Sequence, residues 1–220
     1  MFHRRRAFVT SAWHTSLASV SHTIDNVYHR LAPVYDLIYG VTLAPGRRHA
    51  MARLAPGSGE SILEIGVGTG LSAVKYPSSC RVFAIDLSSN MLERARARFA
   101  RHGVRIALCR MDAARLAFAD GQFDAIYAPY LINVVPDPVK VAREMLRVCR
   151  PAGRIVLLNH FDQAGTRHPI DRFLGGLASR VGVNWHVDLR SFLKDAGLTA
   201  RSIERVNVPR VSSVVVCYKR

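Results

Sequence analysis

The residues with the clearest chemical use lie in Ser61-Ile62-Leu63-Glu64-Ile65-Gly66-Val67-Gly68-Thr69-Gly70. A short apolar run reads as a buried parallel strand, and it carries one acid before three glycines at alternate positions. Glycine reaches backbone angles that other residues reach only with strain, and it lets a small molecule come close to the main chain. A strand that turns sharply into a helix there sets bare N–H groups beside a bound ligand. The next group is a carboxylate. Arg81-Val82-Phe83-Ala84-Ile85 is a second apolar strand that ends in Asp86, eighteen positions after Gly68. An acid at the carboxyl end of the second strand of a strand–helix–strand unit can accept hydrogen bonds from both hydroxyls of a ribose.

The elements that must position these groups follow from pattern and punctuation. A short helix over residues 47–55 stops at Pro56-Gly57, and strand one then leads into the glycine turn. Ser72 to Tyr76 continue a short helix that Pro77 ends. Ser89 to His102 is an arginine-rich helix with Met91, Leu92, Ala95 and Phe99 on one side, and Gly103 is a natural stop. Strand three is expected over Val104–Leu108, followed by Cys109-Arg110-Met111-Asp112-Ala113, another strand end with an acid. Strand four is Ala125–Tyr130. Carboxyl ends of strands face the ligand crevice in a doubly wound sheet, so Pro129-Tyr130 occupies substrate-facing ground. A helix over Val139–Cys149, a turn at Pro151-Ala152-Gly153 and strand five over Arg154–Leu158 lead to Asn159-His160-Phe161. An insertion spans residues 162–189. Its Asp171–Leu177 stretch reads either as a cap over an apolar pocket or as a packed helix. A helix over Ser191–Ala196 and strands near 199–207 and 212–219 complete a seven-stranded sheet.

The chain of 220 residues is long enough for one domain with a sizeable core and too short for two. Hydrophobic residues at 49% against 21% charged exclude a disordered chain. A formal charge of +15 implies attraction to an anionic partner, a membrane surface or nucleic acid, unless it is only a solvated basic surface. Cys80, Cys109, Cys149 and Cys217 show no metal-ligand spacing and read as reduced, largely buried thiols. No window approaches a membrane-spanning length.

Arg4-Arg5-Arg6 is a weak start for an export signal, because His14, Ser16, Ser19, Ser21 and His22 spoil the apolar core. Val9, Trp13, Leu17, Val20, Ile24, Val27 and Leu31 are instead spaced as one helical stripe with a basic flank. Such a helix can lie in a lipid interface or pack on the domain. Residues 1–50 therefore read as membrane-associating and substrate-capping helices, and 51–220 as the ligand-binding domain. Tyr28, Tyr35 and Tyr39 lie around Pro33 and Gly40; Tyr35 and Tyr39 read equally as pocket wall or core.

Glu64, Gly66, Gly68, Gly70, Asp86, Met91 and Asp112-Ala113, in that order, resemble the class I S-adenosylmethionine-dependent methyltransferases. The resemblance implies an α/β, Rossmann-like fold with a seven-stranded, mostly parallel sheet and helices on both faces. It implies S-adenosylmethionine as cofactor. Gly66, Gly68, Thr69 and Gly70 would frame its methionine part, with Glu64 bracing the turn. Asp86 would take the ribose, Leu87, Met91, Asp112 and Ala113 would surround the adenine, and Ala128 and Pro129 would flank the sulfonium. No metal is expected.

Arg30-Leu31-Ala32-Pro33-Val34-Tyr35-Asp36-Leu37-Ile38-Tyr39-Gly40, Ala128 to Pro138 and Asn159-His160-Phe161 further resemble the bacterial phosphatidylethanolamine N-methyltransferases of the peripheral type. That resemblance implies stepwise N-methylation of a phospholipid headgroup towards phosphatidylcholine. It also implies a cytoplasmic enzyme held reversibly at the inner face of an anionic membrane, with no nucleic-acid partner. Tyr28, Tyr35, Asn159 and His160 are then candidates for headgroup positioning and proton removal, and basic residues at 4–6 and 47–48 for lipid phosphate. His160 reads equally as a structural hydrogen bond at a strand end. The alternatives are a quinone-ring C-methyltransferase and a silent methyltransferase fold that binds membrane or RNA.

Overall fold

The computed structural model describes residues 42–162, 187–207 and 211–219. The stripe over 9–31, the tyrosines at 28, 35 and 39 and the stretch 171–177 lie outside the described residues. The element order is α1 (Ala44–Leu54), β1 (Ser61–Ile65), a 3₁₀ turn (Ala73–Lys75), β2 (Arg81–Asp86), α2 (Ser89–His102) and β3 (Ala107–Arg110). It continues with β4 (Phe123–Pro129), α3 (Pro138–Val148), β5 (Cys149–Asn159), α4 (Leu189–Ala196), β6 (Ala200–Val206) and β7 (Ser212–Tyr218).

The seven strands form one sheet in the order β3-β2-β1-β4-β5-β7-β6. β1 to β5 run parallel, and β7 enters antiparallel between β5 and β6. Strand order reverses between β1 and β4, the place where an open sheet leaves a crevice at its carboxyl ends. The glycine stretch leaves β1 on one side of that crevice, and Pro129-Tyr130 leaves β4 on the other.

Two apolar layers hold the sheet. On one face Ile62, Ala125, Tyr127, Val156 and Leu158 pack with Ala50, Met51 and Leu54 of α1 and with Leu92, Ala95 and Phe99 of α2. On the other, Leu63, Ile65, Ile126, Ile155 and Leu157 pack with Val141, Ala142 and Met145 of α3 and Phe192 of α4. Alternate residues of each strand feed opposite layers, as a twofold side-chain period requires. Burial of this apolar area is the main term that holds the sheet together.

Helix ends are set by local chemistry. Asp137 caps α3 by accepting from the Lys140 amide at 2.9 Å, with Pro138 at the first helical position. Asp188 caps α4 through the Ser191 amide at 2.8 Å. Gly103 and Gly197 close α2 and α4 in the left-handed region, at φ 63° and 72°.

Three expectations need correction. β3 is Ala107–Arg110, not 104–108, because the chain reaches parallel register with Phe83–Asp86 only at Ala107; Val104 and Ile106 pack beneath α2 instead. β5 starts at Cys149 and runs through the expected turn at 151–153. Ala152, at φ 57°, takes up the irregularity beside Phe123 and Ala125. The four cysteines are free, yet only Cys149 and Cys217 are buried; Cys109 is exposed.

Candidate active site

The glycine loop is sewn to β2. Gly66 N and Val67 N both donate to Ile85 O, at 2.9 and 3.0 Å, and Gly70 N turns back to Val67 O. Gly68 N donates to Asp86 Oδ2 at 2.8 Å, and Ser88 N donates to Asp86 Oδ1 at 3.0 Å. From α2, Arg98 Nε donates to Thr69 O at 2.8 Å. The loop is therefore held from two elements before a ligand arrives.

Two of its glycines answer different needs. A Cβ on Gly70 (φ 80°) would stand 2.6 Å from the Phe99 ring, so the residue lets α2 close on the loop. Among the described residues, a Cβ on Gly68 (φ 54°) would meet nothing within 4 Å. Its bare face leaves room for a ligand to come close to the main chain.

Glu64 is fully buried on the α1–α2 face, and among the described residues neither of its oxygens has a hydrogen-bond partner of ordinary geometry. Burial pushes its carboxyl up to about 8, and the nearby Tyr76 hydroxyl and Arg47 guanidinium offset part of that. Arg47 is itself buried, so the expected basic surface at 47–48 reduces to the exposed Arg48.

At the end of β2, Leu87 is 58% exposed, a large apolar side chain standing at the rim. Met91 opens α2, its amide capped by Ser88 Oγ at 3.4 Å. Asp112 is exposed and accepts from Ala114 N at 2.8 Å, while Ala113 is buried beside it. The Met111 amide ties this turn to Asp86 O at 3.1 Å. Gly66–Gly70, Asp86–Met91 and Asp112-Ala113 thus share one rim. The Ala128 methyl belongs to the core below, which leaves half-buried Pro129 and Tyr130 as the contribution of β4.

Asn159 and His160, adjacent in sequence, do different work. Asn159 is fully buried. In the amide orientation that satisfies its surroundings, it donates to Asn133 Oδ1 at 3.0 Å and accepts from Ile132 N and Asn133 N at 3.1 and 3.2 Å. It clamps the loop after β4. His160 is only partly buried, with its ring 5.5 Å from that of Tyr130 and its Nδ1 3.1 Å from Val211 O. Tyr28 and Tyr35 lie outside the described residues.

Sequence reasoning missed Arg98, Asn133, Asn207 and Ser212. An asparagine before Val208-Pro209 signals a turn, but nothing in the sequence names its partners.

A methyltransferase domain model matches residues 63–157. The chain is 38% identical over 168 residues to a phosphatidylethanolamine N-methyltransferase of Cereibacter sphaeroides, across 75% of this chain and 81% of that one. It is 37% identical over 144 residues to a ubiquinone/menaquinone C-methyltransferase of Desulfotalea psychrophila, across 62% of this chain and 57% of that one. Among solved structures, a Haemonchus contortus N-methyltransferase in complex with phosphomonomethylethanolamine and S-adenosylhomocysteine superposes with a TM-score of 0.71 at 22% identity, over 86% of this chain and 46% of that one.

S-adenosylmethionine joins a nucleoside to a cationic amino acid, and the residues present fit both halves. Asp86 and the apolar Leu87 stand where a ribose and a purine would lie. The open face of Gly68 leaves room among the described residues for the amino-acid half. The extent of these matches, over a sheet of this order and a loop of this build, decides the family: the chain belongs to the class I S-adenosylmethionine-dependent methyltransferases.

Proposed function

We propose that this methyltransferase acts on the amino headgroup of phosphatidylethanolamine and its mono- and dimethyl derivatives, towards phosphatidylcholine. The observation that carries the reading is the breadth of the match to the Cereibacter enzyme, 81% of that protein, against 57% of the Desulfotalea quinone enzyme. The charge of +15 supports reversible contact with an anionic bilayer, the surface on which such a substrate resides. Among the described residues no helix is long and apolar enough to cross a membrane.

S-adenosylmethionine supplies a methyl group activated by a positively charged sulfur. The chain's own task is to align a nucleophile behind that methyl group, exclude water and receive a proton. An alkylammonium with an ordinary value of roughly 10.4 must lose that proton before its nitrogen can attack. His160, at the carboxyl end of β5 beside Tyr130, is the proton acceptor of this proposal. Asn159 supports it by fixing residues 132–133, and Tyr28 and Tyr35 remain proposed headgroup contacts.

Quinone-ring C-methylation is the second reading, favoured by the identity of 37% to the quinone enzyme. Incubation of the protein with radiolabelled S-adenosylmethionine and liposomes that contain phosphatidylethanolamine and a demethylated quinone separates the two. Label in the ethanolamine lipids is expected. Label confined to the quinone transfers the assignment to the second reading.

A further inference from the structure

Between Ser89 and Arg110 the chain carries six arginines and one acid, Glu93. Three of these arginines hold carbonyls of the protein itself. Arg98 donates to Thr69 O at 2.8 Å, Arg101 to Ala97 O at 3.3 Å and Arg110 to Leu87 O at 3.0 Å. Arg96 and Arg105 are different: both are exposed, and among the described residues neither pairs with an acid. They border a groove of about 550 Å³ between the second half of α2 and the chain that leads into β3. The apolar wall of the groove is Val104, Ile106 and Leu108, alternate residues half-buried against the α2 layer.

The groove is apart from the cofactor cradle. β3 is the last strand on its side of the sheet. Its carboxyl end, Arg110, pairs with Asp86 at the rim, whereas the groove lies towards its amino end at Ala107. The volume is in the range of small-molecule sites, roughly 300–1,000 Å³. Two cations beside hydrocarbon fit a ligand with an anionic head and an apolar body. A guanidinium presents a planar fork of donors that matches phosphate oxygens, and it gives up water readily. Free phosphate would satisfy the arginines and leave the apolar wall wet. A single-stranded nucleic acid would need open rings on which to stack its bases. The ring at this groove, Phe99, is 4% exposed and faces Gly70, so it offers no such platform.

We propose that the α2–β3 groove binds an anionic phospholipid, its phosphate between Arg96 and Arg105 and its hydrocarbon along Val104, Ile106 and Leu108. The proposal rests on the reading of reversible contact with an anionic bilayer and gives that contact a surface distinct from the crevice. It holds for either methyl acceptor. Binding there sets the β3 edge of the sheet against the lipid.

The test uses the full chain without cofactor. Short-chain phosphatidylglycerol, kept below its micelle concentration, is titrated in and followed by amide resonances; flotation with phosphatidylglycerol vesicles follows. Shifts are expected at residues lining the groove, with affinity about tenfold or more above that for the matching phosphatidylcholine or for inorganic phosphate. Arg96→Glu with Arg105→Glu should lower affinity for the short-chain lipid and for the vesicles about 10- to 100-fold. Ala100→Trp, at an exposed position on the groove wall, keeps every charge and fills the space, so it should abolish binding of the short-chain lipid. S-adenosylhomocysteine should bind both variants as it binds the parent, which shows that they fold. Equal affinity for inorganic phosphate, tighter binding of a single-stranded oligonucleotide, or lipid affinity unchanged in both variants overturns the proposal. If the parent and the charge-reversed variant float equally, the bilayer reading stands and the groove assignment fails. If the parent does not float with anionic vesicles, both fail.

Discussion

The Gly68 amide donates to Asp86 Oδ2 across 2.8 Å, so the acid read as the ribose partner already braces the glycine loop from the next strand. Its other oxygen holds Ser88 N, one residue before α2 begins. One carboxylate thus fixes the loop after β1 and the entry to α2. Removal of it should act on the ligand twice, by loss of its own contacts and by release of the loop. Hydrogen bonds to a charged group contribute about 1.5–3 kcal/mol each. Asp86→Ala should weaken S-adenosylhomocysteine binding about 10- to 100-fold by calorimetry. Unchanged affinity would show that the ligand's ribose lies elsewhere.

The two glycines on either side of Thr69 should separate stability from binding. Gly70→Ala drives a methyl group to 2.6 Å from Phe99 at a φ of 80°, and both effects fall on the free protein. A loss of about 1–3 kcal/mol in denaturant unfolding is expected. Among the described residues Gly68→Ala meets no atom within 4 Å, so its φ of 54° sets the cost to the free protein, about 1 kcal/mol. Its methyl group would instead occupy the ligand's side of the loop, and cofactor affinity should fall more than stability. The reverse ranking in paired unfolding and binding measurements would place the ligand on the other side of the loop.

The legible part of this protein is the part written in consecutive residues. Ser61–Ile65, the glycines, Asp86 and the helix from Ser89 to Gly103 form one strand–turn–strand–helix unit, and each boundary has a local cause: an apolar run, a left-handed glycine, a serine cap. β3 escaped because Val104 and Ile106 have strand-like side chains but are used for packing under α2, and only pairing with β2 marks where the strand begins. The hydrogen bond that Asn207 Nδ2 donates to the Tyr130 hydroxyl was hidden for a different reason. Tyr130 and Asn207 stand 77 positions apart, and they meet because β7 returns antiparallel beside β5 and carries Ser212 back to the crevice. Asn159 had a legible position at a strand end, but whether its amide faced a substrate or the 132–133 backbone depended on how the loop after β4 folds over it.

That amide gives a third prediction. Asn159→Asp keeps the size and the acceptor for Ile132 N and Asn133 N but sets an oxygen against Asn133 Oδ1, which lies 3.0 Å from the present donor. A buried charge with a lost donor should cost about 1–3 kcal/mol. The loop after β4 should loosen, seen as faster amide exchange at residues 131–134 with β1 and β2 protected as before. Protection unchanged at those positions would mean that the clamp is dispensable.

The buried Glu64 carboxyl makes the stability of the free protein depend on pH in a definite direction. Its folded-state value, pushed up to about 8, lies above the ordinary value of 4.5, because burial disfavours the charged form. Between those values the folded protein holds a proton that the unfolded chain has released. Stability should therefore fall as pH rises from about 5 to about 8, with the full contribution present only below the lower value. Glu64→Gln keeps the shape, cannot ionise and should flatten that slope, so that the variant is more stable than the parent by about 1–3 kcal/mol at pH 8 and close to it at pH 5. The acids held low by arginine partners act in the opposite sense: Glu60 beside Arg154 and Glu144 beside Arg147 lose their contribution only as pH falls through their depressed values. The two trends occupy different ends of the titration. Denaturant midpoints of parent and variant, measured from pH 5 to 9 without ligand, should diverge upward through that range; parallel curves would mean that Glu64 is charged in the folded protein and held by a partner.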